Sequence, residues 1–433
     1  MPSGCLAERT CPGEGWAHGS VPLFDIPPRS PDDPSGADAT PDPITLESLV
    51  LRWQVLVGRD RRPKGVRLQL RRRGEVSALP LSTLLDGVLR GFVDDGSTPF
   101  PHGLVLLAPV EGAIDAAMSV WSAPRNVLLE IPAADLQDEA RARILFESRR
   151  QGVRQVLRMQ DAMPTRERVQ FFHYLVGPSS AVKRAPIPVL ALDSDTPARA
   201  EAALAAGSHA LVGWPLSTPM EKAPHELSPS QRAIFELVRL IRADADVRAL
   251  EKIFEAEPLL AYMLLTLANS VAFRRGAPTA SLRQAVASIG YQRLIKWLVL
   301  ILAISTKDRR TAPLIFTTLV RGYGMENLCL ATGRPQSTAD ECFIVGAFSL
   351  LDKITGQPLP ALLSEVGLPQ DVVDGLIDGQ GPYACYRDVV LSMESDNAQA
   401  HRDACLALQL DQDAVNRALL RAIAAADAML SLM

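Results

Sequence analysis

The sequence lacks the features that mark several broad classes of protein. Its 433 residues include six cysteines, none in a CxxC pair, so we expect neither a zinc ribbon nor a disulfide framework. Lys and Arg number 45 against 49 Asp and Glu, and this balance predicts no nucleic-acid partner. The most apolar run, Trp297–Ile304, is about half as long as a bilayer crossing requires. No secretion signal is visible at the N-terminus, so we expect a cytoplasmic protein without a membrane partner.

The motifs of several catalytic chemistries are also missing. The sequence has no GxxxxGK[ST] loop to hold phosphates and no GxSxG elbow to carry a serine nucleophile. Its six histidines include no pair at the i, i+4 spacing of a helical zinc site, and none is followed by Asp. The sequence therefore predicts no metal, no cofactor and no catalytic residue.

Composition divides the chain into four parts. Residues 1–45 are rich in Pro, Gly, Asp and Ser and are predicted to form a disordered acidic tail. In residues 46–220, short apolar runs alternate with segments that suit helices, which predicts an α/β domain with a parallel sheet or barrel. Residues 221–228 are predicted to be a linker and residues 229–433 to be all-helical. The runs predicted as strands are 65–70, 104–109, 127–132, 153–159, 189–193 and 210–215.

The run Trp297–Ile304 in the helical part has no polar face. A helix of this kind has to be enclosed on every side. We therefore predict that it is the central helix of that part.

The helical part resembles the HDOD domain. The residues that carry the resemblance are Ile253–Leu259, Leu264, Leu265, Ala268–Ser270, Phe273, Ser281, Leu282, Ala285, Val286, Ile289, Gly290, Leu294 and Cys342–Asp352. The resemblance implies an all-α domain without the metal-binding His–Asp pair of the related HD phosphohydrolases. Ser349 and Asp352 stand where those enzymes carry the pair, and Asp352 alone cannot hold a divalent cation. Asn269 and Ser270 either end a helix, which we favour, or bind a ligand directly.

The first half resembles a shortened, degenerate EAL domain, the (β/α) barrel phosphodiesterase of cyclic di-GMP. The resemblance implies a TIM-type barrel with ligand residues at the C-terminal ends of its strands. It also implies that an active member holds two divalent metals there. The segments that carry it are Trp53–Leu56, Gly65–Arg71, Leu129–Pro132, Gly152–Gln160, Leu190–Thr196 and Leu211–Pro215.

Departures from the EAL pattern decide the predicted chemistry. Arg67 occupies the position of the signature glutamate, Arg158 and Met159 replace a pair of aspartates, and Val212 replaces a glutamine. Glu130 and Asp195 are the acidic residues that remain, and two carboxylates do not make a binuclear metal site. For Glu130 we favour a strand-end residue paired with an arginine such as Arg158.

Nine basic residues crowd the interval Arg52–Arg73, which holds one acid, Asp60. This stretch is either a solvated hairpin and strand edge, which we favour, or a patch for a phosphate ligand, an acidic partner or the acidic tail.

These observations predict a non-catalytic bacterial signalling protein of the EAL–HDOD type that acts through unidentified protein partners. One alternative is a sensor that binds cyclic di-GMP or another nucleotide without cleaving it. The other is a residual cyclic di-GMP phosphodiesterase.

Overall fold

A computed structural model describes residues 46–73, 79–93, 96, 99–109, 113–160, 165, 169–216, 228–269, 279, 281–304, 308–366 and 368–431. The predicted acidic tail, most of the predicted linker and Ser270 lie outside these residues. In the described part of the chain, no helix is both long and apolar enough to cross a membrane.

The first half forms a closed barrel of eight strands. Strand β1 pairs antiparallel with β2 and with β8, and every other neighbouring pair is parallel. The predicted barrel is therefore confirmed. The strands are β1 Leu49–Gly58, β2 Pro63–Arg72, β3 Leu104–Pro109, β4 Val127–Pro132, β5 Arg154–Arg158, β6 Tyr174–Gly177, β7 Val189–Ala191 and β8 Ala210–Val212.

Three α-helices of the first half are described, and two of them begin at a side-chain cap. They are α1 Leu81–Gly91, α2 Glu139–Arg150 and α3 Pro197–Ala205. The Asp138 carboxylate accepts hydrogen bonds from the first backbone N–H groups of α2, and the Thr196 hydroxyl does the same for α3.

The second half is helical, as predicted. Its described helices are α4 Pro229–Arg242, α5 Val247–Ala256, α6 Pro258–Ala268, α7 Leu282–Ile289, α8 Tyr291–Ile304, α9 Ala312–Ala331, α10 Gln336–Phe348, α11 Leu351–Thr355, α12 Leu359–Val366, α13 Gln370–Ile377, α14 Ala384–Ser392, α15 Ala398–Leu408 and α16 Gln412–Ser431. Gly290 joins α7 to α8 at φ +79°, a left-handed conformation that glycine adopts without strain.

The prediction of the central helix was wrong. The α8 helix is well buried, but α9 is the element that packs against α8, α10, α14 and α16 together. The sequence did not indicate the central position of α9, because this helix contains two charged residues, Arg321 and Glu326, which are buried in ion pairs rather than exposed.

The helical half also covers the outer face of strand β1. The ring of Trp53 on β1 meets Phe316 on α9 edge to face, with ring centroids 6.1 Å apart. Asn416 on α16 is fully buried. Its Nδ2 donates to the carbonyls of Leu46 and Leu49 at 2.9 and 2.7 Å, and its Oδ1 accepts from the backbone N–H of Leu51. The barrel thus uses helices from the other half as part of its outer layer.

Candidate functional site

A buried ion cluster lies inside the barrel, where side chains of β2, β4 and β5 meet. Arg67 donates from Nε and Nη2 to the two carboxylate oxygens of Glu130, both at 2.7 Å. Nη1 of Arg158 lies 3.3 Å from Oε1 of the same carboxylate. The Glu130 side chain is fully buried, that of Arg67 is 4% exposed and that of Arg158 is 26% exposed. Two guanidinium groups therefore share one buried carboxylate.

Strand geometry explains why these side chains meet. Alternate residues of a strand face the same side of the sheet. Glu130 on β4 and Arg158 on β5 occupy positions whose side chains face the interior of the barrel. Neighbouring positions such as Val66 and Leu129 face outward into the apolar layer under the helices. Gln54 on β1 completes the set, because its Oε1 accepts from Arg67 Nη1 at 2.9 Å and from Gln69 Nε2 at 3.4 Å.

The other predicted positions of the barrel do not join this cluster. Asp195 lies after β7, where its carboxylate binds Arg199 at 2.7 Å and is 64% exposed. Met159 follows β5 and donates its backbone N–H to Val176. Val212 ends β8 fully buried, and its carbonyl accepts from the hydroxyl of Ser194 at 2.7 Å.

The described residues of this cluster do not fit a pair of divalent metals. The guanidinium groups of Arg67 and Arg158 both contact the Glu130 carboxylate, and their positive charges oppose the binding of a cation beside it. Across the residues that the structure describes, no three His, Cys, Asp or Glu side chains converge to hold a metal ion. Among the described members of the cluster, Glu130 is the one carboxylate, and two guanidinium groups contact it.

The basic stretch Arg52–Arg73 is largely neutralised within the fold. Arg67 lies inside the barrel, and several other members of the stretch form ion pairs. The pairs are Arg52 and Arg71 with Asp396, Arg61 with Glu201, Lys64 with Asp60 and Arg73 with Glu47. The acidic partners come mostly from other parts of the chain, so local sequence could not reveal the neutralisation.

The HDOD signature position Asn269 has a structural role at the end of α6. Its Nδ2 donates to the carbonyl of Thr279 and its Oδ1 accepts from the Thr279 backbone N–H, both at 2.8 Å. The side chain therefore bridges the C-terminus of α6 to the segment before α7.

A second arginine–carboxylate cluster lies beside the stretch that contains Ser349 and Asp352. Arg321 on α9 donates from Nε and Nη2 to Glu394 at 2.8 and 2.7 Å, and from Nη1 to the Ser349 hydroxyl at 3.0 Å. Asp352 itself lies in the first turn of α11, partly exposed. Sequence reasoning missed Arg321 and Glu394, and the signal was an arginine that follows the apolar run Leu319–Val320 within α9.

The comparison with protein families identifies part of this chain. Residues 227–346 match the sequence profile of the HDOD domain. This chain contains an HDOD domain. The match covers α4 to α8 and runs on through α9 into α10, so it spans the helices on both sides of the Lys296–Glu326 ion pair.

Two relatives match about half of the chain each. The uncharacterised protein YuxH of Bacillus subtilis is 25% identical over 224 residues, covering 50% of this chain and 53% of its own length. The cyclic di-GMP phosphodiesterase CdgJ of Vibrio cholerae is 24% identical over 218 residues, covering 50% of both chains. This chain thus spans about half the length of the relatives it matches.

The barrel region resembles solved EAL proteins. The phosphodiesterase PaMucR in complex with c-di-GMP aligns with 41% of this chain and 94% of its own, at 16% identity and a TM-score of 0.30. The EAL-domain protein YkuI of Bacillus subtilis, in complex with substrate c-di-GMP and calcium, aligns with 57% and 75% at 13% identity and a TM-score of 0.29. These scores are low, and the barrel assignment rests on the strand pairing.

Proposed function

We propose that this protein is a non-catalytic, cytoplasmic signalling protein, in which the EAL-like barrel and the HDOD domain act by binding protein partners. The observation that carries the proposal is the ion cluster of Arg67, Glu130 and Arg158. In an EAL-type barrel this region would have to present several free carboxylates to two cations. Here a guanidinium group takes the one buried carboxylate of the cluster in a two-bond contact.

The second half supports the same reading. Arg321 and Glu394 form a bidentate pair beside Ser349, at the place where the resemblance to HD enzymes puts a metal-binding His–Asp pair. In the barrel, two guanidinium groups share one carboxylate, and the excess positive charge disfavours a cation there. The HDOD half also exposes large apolar side chains, because Leu259 and Tyr262 on α6 are 66% and 68% exposed, and such side chains suit contact with another protein.

The test is an activity assay on the full chain with cyclic di-GMP and either Mg²⁺ or Mn²⁺. We expect no linear product above the buffer blank, in parallel with an active EAL phosphodiesterase as the positive control. Turnover that disappears in a Glu130→Gln variant would contradict the proposal. Binding of cyclic di-GMP without cleavage in the same samples would favour the nucleotide sensor instead.

A further inference from the structure

The HDOD region contains a cavity that the proposed function does not use. Its volume is about 390 Å³, it is open to solvent on one side, and residues of helices α4, α8 and α10 line it. Small-molecule sites commonly measure about 300–1,000 Å³, so the cavity is large enough for a small ligand. Its walls combine charged groups with the apolar side chains of Ile241, Ile295, Phe343 and Ile344.

The positive charge of Lys296, which lines the cavity, is already neutralised by an ion pair. Nζ of Lys296 donates to both carboxylate oxygens of Glu326, at 2.5 and 2.7 Å. The same nitrogen lies 5.3 and 5.0 Å from the ring centroids of Tyr323 and Phe343. The ammonium group is therefore held by an anion and two aromatic faces.

The other cation, Arg242, also has an anionic neighbour. Its Nη2 lies 3.5 Å from Oε1 of Glu341, and Oε2 of Glu341 accepts a hydrogen bond from the Tyr383 hydroxyl. The carboxylate of Asp340, in contrast, accepts a hydrogen bond within the described part of the chain on only one of its two oxygens. Its Oδ1 accepts from Gln336 at 3.0 Å, whereas its Oδ2 is buried and accepts no hydrogen bond from the described residues.

The end of α4 adds further negative potential. Asp244 lines the cavity two residues beyond the last residue of α4 and holds φ +49°, an uncommon conformation for a residue other than glycine. The last carbonyl groups of a helix carry partial negative charge. Arg242 and Lys296 supply two positive charges, whereas Asp244, Asp340, Glu341 and the underlying Glu326 supply four negative ones, a net charge of −2.

We propose that this cavity binds a guanidinium or ammonium group carried on an aliphatic stem, with Asp340 as its main acceptor. Such a group brings N–H donors to the partly exposed carboxylate of Asp340 and a positive charge to an anionic cavity. Its methylene groups pack on Ile295, Phe343 and Ile344, which cover the apolar part of the wall. A phosphate or carboxylate ligand fits neither the charge nor the orphan acceptor.

Agmatine is a suitable probe because it carries a guanidinium and an ammonium group on one short stem. Calorimetric titration into the full chain should show saturable binding, whereas pentanol and glutarate, which lack a cationic group, should bind far more weakly or not at all. An Asp340→Asn variant should weaken agmatine binding about tenfold or more, since a charge-assisted hydrogen bond is lost. A blocked arginine peptide, tested in parallel, distinguishes a partner's side chain from a free amine as the source of the group.

The control is Glu236→Gln, which removes a carboxylate from the exposed side of α4, where Glu236 pairs with Arg239. It should leave agmatine binding unchanged. Because Asp244 is exposed, Asp244→Asn should preserve the fold and still weaken binding several-fold. No saturable binding up to about 10 mM, or affinity unchanged in both Asp340→Asn and Asp244→Asn with native circular dichroism, would overturn the proposal. Neither result depends on whether the barrel is catalytic.

Discussion

Replacing Glu130 by Gln perturbs the barrel cluster with almost no change of shape. The variant removes the negative charge that Arg67 and Arg158 share, and it replaces one acceptor oxygen by an NH₂ group that faces a donor. Arg67 cannot turn to solvent, since its side chain is 4% exposed and lies inside the barrel. Removing one partner of a buried ion pair typically costs about 3–5 kcal/mol. Because Arg158 keeps partial access to water, we expect a loss near the lower end, about 3 kcal/mol.

Urea denaturation followed by circular dichroism measures this loss. Glu236→Gln serves as the matched control, because Glu236 pairs with Arg239 at 2.5 Å while both side chains are nearly half exposed. Exposed pairs contribute about 0–1 kcal/mol, so the control should change the free energy of unfolding by less than about 1 kcal/mol. A double variant, Arg67→Met with Glu130→Leu, should recover much of the stability, since an apolar pair replaces the buried charges.

The reasoning would be refuted if Glu130→Gln were as mild as the control. An increase in stability would be more informative still. It would mean that Glu130 belongs to a group of repelling carboxylates, which is the situation of a metal site in the absence of its metal.

Three further predictions concern the rest of the fold. Asn416→Ala removes three buried hydrogen bonds to the β1 segment and should cost about 2–4 kcal/mol in urea denaturation; a loss below about 1 kcal/mol would contradict this. Leu298→Asp places an unpaired carboxylate in the buried core around α8. It should abolish the cooperative unfolding transition of the helices that circular dichroism records, and a native-like transition would contradict this prediction. Burial lowers the pKa of His401 below its ordinary value of 6.5. On acidification the unfolded chain therefore binds this proton at a higher pH than the folded chain does, so the free energy of unfolding should decrease as the pH drops below about 6.5. His401→Gln should lessen that fall, and an unchanged pH dependence would exclude His401 as its source.

The barrel was predictable because its strands are short apolar runs separated by helical segments. The resemblance to the EAL pattern also made Arg67 conspicuous, since an arginine stands there at the position of the signature glutamate. The strand Tyr174–Gly177 was not predicted. It is no shorter than β7 or β8, and its pairing with β5 and β7 is what defines it as a strand.

The long-range ion pairs could not be predicted. Glu326 pairs with Lys296 on the helix before it, and Arg321 pairs with Glu394, which lies 73 residues further along the chain. A hydropathy pattern records such residues as polar and assigns them to solvent. Only the fold shows that each has a partner, and this is why the most buried helix, Ala312–Ala331, was less conspicuous than Tyr291–Ile304.

The central claim is that a guanidinium group holds the buried carboxylate of the barrel in place of a metal ion. Titration of the full chain with Mn²⁺, followed by electron paramagnetic resonance of the free ion, tests this claim most directly. We predict that the free Mn²⁺ signal rises in proportion to added metal, as in buffer, with no site filled at micromolar concentrations. One or two ions bound tightly per chain, and released in a folded Glu130→Gln variant, would contradict the account.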